Sequence, residues 1–236
     1  MSIKAVLFDL DGTLLPMDQD VFLKSYLGAL SKKLAPVGYD PKALVSAIWQ
    51  GTDAMIKNNG DTTNEKAFWR EFCKLFGKDA VNDIPIFEDF YRNEFQDIRN
   101  VCGYTPESAK LVRELKEKGL RVALATNPIF PEVATLSRMH WAGLDDEEFE
   151  LYTTYENSVH CKPNPEYYRD ILSQMNLKPW EVLMVGNDVS DDMSAEKLGM
   201  KVFLLTDCLI NRIEADVSKY PSGGFEQLRE YIGTII

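Results

Sequence analysis

Two aspartates separated by one residue follow the first apolar segment of the chain, and their type and spacing could support chemistry. Asp9 and Asp11 come directly after Ile3–Phe8 and are followed by Gly12. Paired carboxylates can bind a divalent cation, act as a nucleophile, or donate and accept protons. A calcium loop of the EF-hand type fits poorly, because the sixth position counted from Asp9 is Leu14, where that loop needs glycine. A polar turn explains an isolated pair of this kind at least as well, so other segments have to decide.

Later apolar segments also lead into polar residues. Thr126 and Asn127 follow one such segment, Lys162 precedes a predicted helix, and Asp188 follows another segment. Each has an ordinary structural explanation, since a hydroxyl can cap a helix and most lysines are solvated. Ligands in open α/β sheets bind beyond the carboxyl ends of the strands, so we expect these side chains to lie near Asp9.

The order of these residues resembles the four motifs of the haloacid dehalogenase-like hydrolase superfamily. Asp9 and Asp11 come first, then Thr126, then Lys162, and then the acids from Asp188 onward. The match runs from Asp9 to Asp192. The resemblance implies a Mg²⁺-dependent phosphatase that hydrolyses a small phosphorylated metabolite through a covalent aspartyl-phosphate. In this superfamily an aspartate at the second position is associated with phosphoryl transfer, so Asp11 favours phosphatase chemistry over cleavage of a carbon–halogen bond.

The resemblance also assigns catalytic and metal-binding roles. Asp9 would be both nucleophile and metal ligand, and Asp11 would bind the metal through its backbone carbonyl. The Asp11 side chain would protonate the leaving alkoxide and later accept a proton from water. Asp188 would complete the magnesium site, because a carboxylate is a good ligand for a hard cation. A cation between Asp9 and a phosphate dianion offsets their mutual repulsion.

Substrate binding would fall to Thr126, Asn127 and Lys162. The Thr126 hydroxyl and the backbone beside it would hold the oxygens of the phosphoryl group. Lys162 would add a compact positive charge to the same oxygens and to Asp9, offsetting the charge that builds up during transfer.

The fourth motif departs from the usual form, in which glycine is followed at once by aspartate and a second acid lies four residues further on. Here Gly186 is followed by Asn187. Two alignments are open: Asn187 with Asp191, or Asp188 with Asp192. We favour Asp188 as the direct ligand, with Asp192 supporting it.

Two other functions share this chemistry. A phosphomutase of the same superfamily would use the same residues. A non-catalytic protein that accepts or binds phosphate is the third candidate, and the altered fourth motif is the reason to consider it.

The elements that would position these residues are short apolar strands alternating with helices, which is typical of a doubly wound, parallel, Rossmann-like α/β core. The predicted strands are Ile3–Phe8, Arg121–Ala125, Leu151–Thr153, Val182–Val185 and Lys201–Leu205. Predicted helices begin at Thr105-Pro106 and near Asn164-Pro165, and a third spans Ser190–Leu198.

Residues 16–100 lack strand signals and show helical periodicity instead. We therefore predict a helical insert at 16–100 within a core formed by 1–15 and 101–236, and the resemblance implies that this insert is a helical cap domain of the superfamily's first cap class. Within the cap, Trp49, Phe68, Trp69 and Tyr91 are predicted to be core residues. The polar loop Asn59–Asn64 is predicted to face the active site.

Composition narrows the possible partners. The 236 residues carry a net charge of −11, which argues against binding duplex nucleic acid or anionic lipid. No apolar run reaches the ~18 residues of a membrane span. Scattered cysteines and only two histidines make disulfides and a zinc site improbable. We expect a cytoplasmic protein that is a monomer, with a homodimer as the alternative.

Overall fold

A parallel five-stranded β-sheet lies at the centre of the fold in a computed structural model, which describes residues 2–236. The strands are β1 (Ala5–Phe8), β2 (Arg121–Leu124), β3 (Val182–Gly186), β4 (Lys201–Leu205) and β5 (Ser222–Gly223). Their order across the sheet is β2-β1-β3-β4-β5, and every pairing is parallel. The chain leaves β1 and β3 toward opposite edges, so a crevice opens beyond the carboxyl ends of these two neighbours.

Eight α-helices occur within residues 2–236. They are α1 (Gln19–Leu34), α2 (Pro41–Ile56), α3 (Asn64–Phe76), α4 (Ile84–Arg92), α5 (Pro106–Glu117), α6 (Glu132–Trp141), α7 (Pro165–Gln174) and α8 (Phe225–Ile235). Side-chain caps fix several starts, because Asp18, Asp40, Thr63, Thr105 and Asn164 accept hydrogen bonds from first-turn N–H groups.

Both faces of the sheet are buried, which explains why its strands are continuously apolar. Alternate residues of β1 enter separate clusters: Phe8 packs with one and Leu7 with the other. Helices α5 and α8 contribute to the Phe8 cluster and α7 to the Leu7 cluster. The prediction of a doubly wound parallel α/β core is confirmed.

The interval between β1 and α5 is helical, as its periodicity predicts. Its aromatic residues pack tightly: the ring centroid of Phe72 lies 5.3 Å from that of Trp69 and 5.6 Å from that of Phe87. Phe68, Trp69 and Tyr91 are buried, whereas Trp49 is 49% exposed, so the prediction of a core position is wrong for Trp49 alone. The division into a core and a cap at residues 15/16 and 100/101 stays a prediction.

One predicted strand is reduced to a single bridge. Of Leu151–Thr153, only Tyr152 forms a β-bridge, to Leu124 at the edge of the sheet. The Asn157 side chain forms hydrogen bonds to the neighbouring backbone: its Nδ2 donates to Tyr152 O at 2.9 Å and its Oδ1 accepts from Thr154 N at 2.8 Å. The backbone of residues 150–153 still makes three hydrogen bonds to β2, of 2.8 to 3.1 Å, and the segment turns away from the sheet after Thr153.

The predicted helix Ser190–Leu198 is shorter and tighter than expected. Only Met193–Leu198 is helical, as a 3₁₀ helix that ends at Gly199. The Asp188 side chain accepts the N–H groups of Ser190 at 2.7 Å and Asp191 at 3.0 Å, which holds those residues in a turn.

Within residues 2–236, none of the helices combines the length and the apolar character that crossing a bilayer requires.

Candidate active site

The carboxyl ends of β1, β2 and β3 bring the predicted residues into one crevice. Asp9 follows β1, and its N–H donates to Val185 O in β3 at 2.9 Å. Ala125 follows β2, and its N–H donates to Phe8 O at 2.7 Å. This pairing places Thr126 beside Asp9 at the carboxyl ends of the two neighbouring strands. Parallel pairing thus converts residues far apart in sequence into neighbours.

Lys162 joins this group from the loop before α7. Its Nζ donates to Asp9 Oδ1 at 2.9 Å and to Asp192 Oδ1 at 2.6 Å. The lysine is only 1% exposed. Burial acts to lower the pKa of Lys162, but the Asp192 and Asp9 carboxylates outweigh burial and raise it well above its usual value. The ammonium is therefore held charged between two acids.

Asp192 is a structural partner of this cation. The carboxylate is 1% exposed, and its Oδ2 accepts the Asp188 N–H at 2.9 Å. Burial raises the pKa of Asp192 to about 7, although Lys162 acts to lower it. Gly186 lies so close that a Cβ there would overlap the Asp192 carboxylate, so glycine is required at the end of β3.

Asp9 is oriented from its second oxygen as well. The Thr13 hydroxyl lies 3.3 Å from Asp9 Oδ2 and donates to Asn187 Oδ1 at 2.9 Å. Asp9 is 8% exposed and lines the cavity described below. With one oxygen on an ammonium and one near a hydroxyl, the carboxylate is fixed in place.

Asp11 is paired with Arg138, a residue that sequence analysis missed. Arg138 Nη1 donates to Asp11 Oδ2, and the guanidinium lies 4.4 Å from the Phe130 ring centroid. Burial raises the pKa of Asp11 to about 6, which Arg138 partly counteracts. The other carboxylate oxygen, Oδ1, is buried and has no hydrogen-bond partner among the described residues.

A signal for Arg138 is present in the sequence. Ala134, Arg138 and Trp141 are spaced by four and three, which places them on one face of a helix. An arginine on an otherwise apolar face predicts a buried cation with an acidic partner. The identity of that partner, Asp11, depends on the tertiary structure.

Asn187 and Asp188 point their polar atoms at different groups. Asn187 Nδ2 donates to Cys208 O at 2.7 Å while its Oδ1 accepts from Thr13, so both ends of the amide are bonded. Asp188 Oδ1 accepts the two backbone N–H groups of the following turn. Both residues line the cavity, and so does Asp191. Burial raises the pKa of Asp191 to about 6.

Thr126 and Asn127 belong to a loop that is tightly fixed. The hydroxyls of Thr153 and Tyr167 donate to Thr126 O at 2.6 and 2.8 Å. Asn127 Oδ1 accepts the Lys162 N–H at 3.2 Å, and its Nδ2 donates to Asp191 at 3.1 Å. The Asn127 amide thus connects the lysine loop to the fourth motif.

The oxygen atoms of Asp9, Asp11 and Asp188, which line the same cavity, are of the kind that a hard divalent cation prefers. Asp9 and Asp188 offer carboxylate oxygens, and Asp11 offers its backbone carbonyl, so the set contains oxygen alone. Within residues 2–236 no group of three His, Cys, Asp or Glu side chains is placed to share a metal. Mg²⁺ usually binds through one or two carboxylates and keeps several waters, so these residues fit it.

A cavity of about 650 Å³ contains the site. Its lining includes Asp9, Asp11, Thr126, Lys162 and Asp188. Residues of α1 and α2 and residues 129 and 130 also line it. The cavity is large enough for a small ligand attached to a phosphoryl group.

The prediction that the loop Asn59–Asn64 faces the active site is wrong. Among the described residues that line the cavity, none belongs to this loop. Asn64 is buried and donates to Pro128 O at 3.2 Å and to Cys161 Sγ at 3.3 Å, while its N–H donates to Ser158 O at 2.9 Å. Its polar groups anchor the start of α3 to the loops beside Lys162.

Comparisons with known proteins identify the family to which the motifs pointed. A family model described as haloacid dehalogenase-like hydrolase matches residues 3–199. A curated relative, pyrophosphatase PpaX of Bacillus cereus strain G9842, is 26% identical over 204 residues, which are 85% of this chain and 82% of the relative.

Solved structures share the fold. A phosphatase from Thermococcus onnurineus has 20% identity and a TM-score of 0.60, with 98% of each chain covered. A predicted phosphoglycolate phosphatase from Haemophilus somnus has 21% identity and a TM-score of 0.61, again with 98% of each chain covered. CbbY from Rhodobacter sphaeroides, solved with phosphate, has 17% identity and a TM-score of 0.60, with 96% of each chain covered.

Proposed function

The chain belongs to the haloacid dehalogenase-like hydrolase family, and from this premise we propose that it is a phosphatase that hydrolyses a small phosphorylated metabolite. One observation carries the proposal. The Asp9 carboxylate lies at the crevice between β1 and β3, 2.9 Å from the buried Lys162 ammonium, in a cavity that also contains Asp11, Thr126 and Asp188.

In the first step, Asp9 attacks phosphorus. An Asp9 oxygen forms a bond to phosphorus while the bond from phosphorus to the ester oxygen breaks, which gives a covalent aspartyl-phosphate. Lys162 neutralises negative charge on the transferring group and keeps Asp9 oriented. Asp11 donates its proton to the leaving alkoxide, which departs as the alcohol.

In the second step, water replaces the aspartate. Asp11, now ionised, accepts a proton from the water, whose oxygen bonds to phosphorus as the bond to Asp9 breaks. Inorganic phosphate and free Asp9 result, and Asp11 is protonated again. A pKa raised to about 6 by burial suits a group that must both donate and accept a proton near neutral pH.

Mg²⁺ is the proposed cofactor. Asp9, the Asp11 carbonyl and Asp188 would hold it, with Asn187 as the alternative to Asp188, and Asp191 or Asp192 in support. When bound, the ion would neutralise charge between the aspartate and the phosphate dianion. Thr126 would contact the phosphoryl oxygens, and Asn127 would hold the loop around them.

Location and assembly stay proposals drawn from composition. The net charge of −11 supports a protein that binds neither duplex nucleic acid nor anionic membranes. We propose a cytoplasmic monomer, with a homodimer as the alternative.

Release of inorganic phosphate tests the function. The full chain is incubated with Mg²⁺ and a panel of phosphate esters, and pyrophosphate is included because the curated relative bears that activity in its name. We expect phosphate release that D9N and removal of Mg²⁺ by a chelator both abolish. D79N is the matched control, since Asp79 is an exposed aspartate outside the cavity lining.

Two outcomes would favour the other candidates. Appearance of phosphate on a second hydroxyl, rather than in water, would make the protein a phosphomutase. Equal rates for D9N and the unchanged protein, or no release from any compound, would contradict the phosphatase proposal.

A further inference from the structure

Part of the lining that α1 and α2 contribute to the cavity is apolar, beside the polar residues Gln19, Asp20 and Lys24 of α1. On α1, Leu23 and Leu27 lie one turn apart. On α2, Trp49, Thr52 and Ile56 share one face, because residues three, four or seven apart are neighbours on a helix. All five line the cavity that contains the proposed nucleophile.

Two of these side chains are unusually exposed. Trp49 is 49% exposed and Ile56 is 42% exposed, although the same helix buries Leu44, Ile48 and Met55. Exposed apolar side chains gathered in a concave site indicate a surface that a ligand covers.

A second, smaller cavity of about 60 Å³ lies among α1, α2, α3 and α4, and most of the residues that line it are apolar. Six residues line both cavities: Leu23, Leu27, Trp49, Thr52, Ile129 and Phe130. Three of the hydroxyls beside the smaller cavity are already bonded, since Tyr26 and Tyr91 share a hydrogen bond of 2.8 Å and Thr52 donates to Ile48 O at 2.9 Å. Trp69 also lines this cavity, and its Nε1 is a buried donor without a hydrogen-bond partner among the described residues. This part of the lining therefore suits a group that is mainly apolar and brings few hydrogen bonds of its own.

The cavity is also poorly equipped for a second anionic group. Besides Lys162, the described cations in its lining are Lys24 and Arg212. Arg212 already donates to Gln19 at 3.1 Å and lies 3.7 Å from Asp20. A second phosphate beside Arg212 would also meet the Asp20 carboxylate, which leaves Lys24 as the lining cation besides Lys162 that could offset its charge.

We propose that the substrate is the phosphate ester of a bulky apolar alcohol, such as one carrying an aromatic ring, whose ring packs on Trp49, Leu23 and Leu27. This inference rests on the proposed phosphatase function and names the substrate class for the same site. Burial of the ring removes apolar surface from water on both partners, which favours this ester over a polar one of equal reactivity.

The test uses esters whose leaving oxygens have matched reactivity. Phosphate release with Mg²⁺ is compared for 3-phenylpropyl phosphate, propyl phosphate and glycerol 1-phosphate, all esters of primary alcohols, and for pyrophosphate. We expect kcat/KM for the phenylpropyl ester to exceed that for the propyl ester by at least about tenfold.

Variants assign the preference to the apolar part of the lining. W49A should lower the ratio of phenylpropyl to propyl kcat/KM to near one, and W49F should keep most of it. W180A is the matched control, because Trp180 is 50% exposed but lies outside the cavity lining. I56S tests the same part of the lining independently of Trp49, and thermal melting of each variant shows that it is folded.

The outcomes distinguish failure of the proposed substrate class from failure of the proposed phosphatase function. Equal kcat/KM for the phenylpropyl and propyl esters, a higher value for pyrophosphate than for any ester, or a ratio unchanged in W49A would overturn the apolar substrate class and leave the phosphatase intact. Absence of phosphate release from every compound would overturn both.

Discussion

At the scale of single residues, Lys162 is the cation on which the buried carboxylates depend. It bonds to Asp9 and to Asp192, and all three side chains are almost fully buried. A buried charge that loses its partner is costly, because neither water nor a counter-ion compensates it. Lys162 therefore stabilises the fold and the reactive geometry at once.

Replacing Lys162 by Met removes this cation and keeps most of the volume. We expect K162M to lose activity and about 3–5 kcal/mol of unfolding free energy. Unfolding in urea, followed by circular dichroism, measures the loss. K162M/D192N should recover part of it, since only one buried carboxylate is then left uncompensated. A double variant less stable than K162M would contradict this account.

Arg138 has the corresponding relation to Asp11. Burial raises the pKa of Asp11 to about 6 and Arg138 counteracts that rise, so without the arginine the pKa should rise further. A group whose folded pKa lies above its unfolded value of about 4 stabilises the fold at low pH. That contribution is lost as pH rises through the folded pKa.

The unfolding free energy of R138M should therefore be closest to that of the unchanged protein near pH 5 and furthest below it near pH 8. We expect a deficit in unfolding free energy of about 3–5 kcal/mol at pH 8 and a smaller one at pH 5. Denaturant unfolding at both values measures it. The control R138M/D11N carries no titrating carboxyl at position 11, so its own unfolding free energy should change less between pH 5 and pH 8 than that of R138M. A deficit in R138M that is equal at both values would refute the pairing as its cause.

At the scale of elements, the turn after β1 holds the first and fourth motifs together. Gly12 has φ +83°, and a Cβ on it would overlap the Asn187 side chain. The Thr13 hydroxyl bonds to the same amide at 2.9 Å. Glycine at position 12 thus permits the left-handed backbone conformation and also lets the ends of β1 and β3 approach each other closely.

G12A separates these two effects when it is compared with G119A. Gly119 has a similar φ of +80° but open space around it, so G119A reports the backbone cost alone, about 1–2 kcal/mol. We expect G12A to cost more stability than G119A and to lower phosphate release, because Asn187 must move. Thermal unfolding and the phosphatase assay measure the two effects, and equal losses would show that the contact with Asn187 is unimportant.

The elements that sequence predicted best are those with strong local signals. Helix α7 begins at Asn164-Pro165, where a side-chain cap precedes a proline at the first helical position. The segment Leu151–Thr153 has the composition of a strand but forms one β-bridge, because its backbone hydrogen bonds to β2 end at Thr153 and Asn157 bonds to the backbone beyond them. Short apolar runs do not reveal such competition.

At the scale of the whole molecule, one hydrophobic cluster runs from the sheet into the helical interval. Residues of α1, such as Phe22 and Tyr26, belong to the same cluster as Phe8 of β1. The ring of Phe130, which follows β2, lies 5.3 Å from that of Tyr26. Shared burial of this kind couples the stability of the two regions.

We therefore expect a single cooperative unfolding transition. Tryptophan fluorescence, which reports Trp49 and Trp69 between β1 and α5 and Trp141 and Trp180 outside that interval, should change together with far-UV circular dichroism. Y26A should lower the common midpoint without splitting the transition, since it removes packing on both sides. Two separate transitions would show that the helical interval unfolds independently.

The sequence by itself determined the chemistry available to this protein. Asp9, Asp11, Thr126, Lys162 and Asp188 each follow or precede a recognisable element, and parallel strands bring their carboxyl ends to one edge. Apolar continuity in the strands also determined that the sheet would be covered on both faces. These are consequences of local pattern and of general sheet geometry.

Only the tertiary structure decided how those residues are paired and what surrounds them. Arg138 reaches Asp11, Asp192 rather than Asp191 reaches Lys162, and the exposed face of α2 rather than the loop Asn59–Asn64 lines the cavity. Each choice depends on the rotation of a helix or the course of a loop over a few ångströms. Packing between distant segments sets both, so no local pattern in the sequence specifies them.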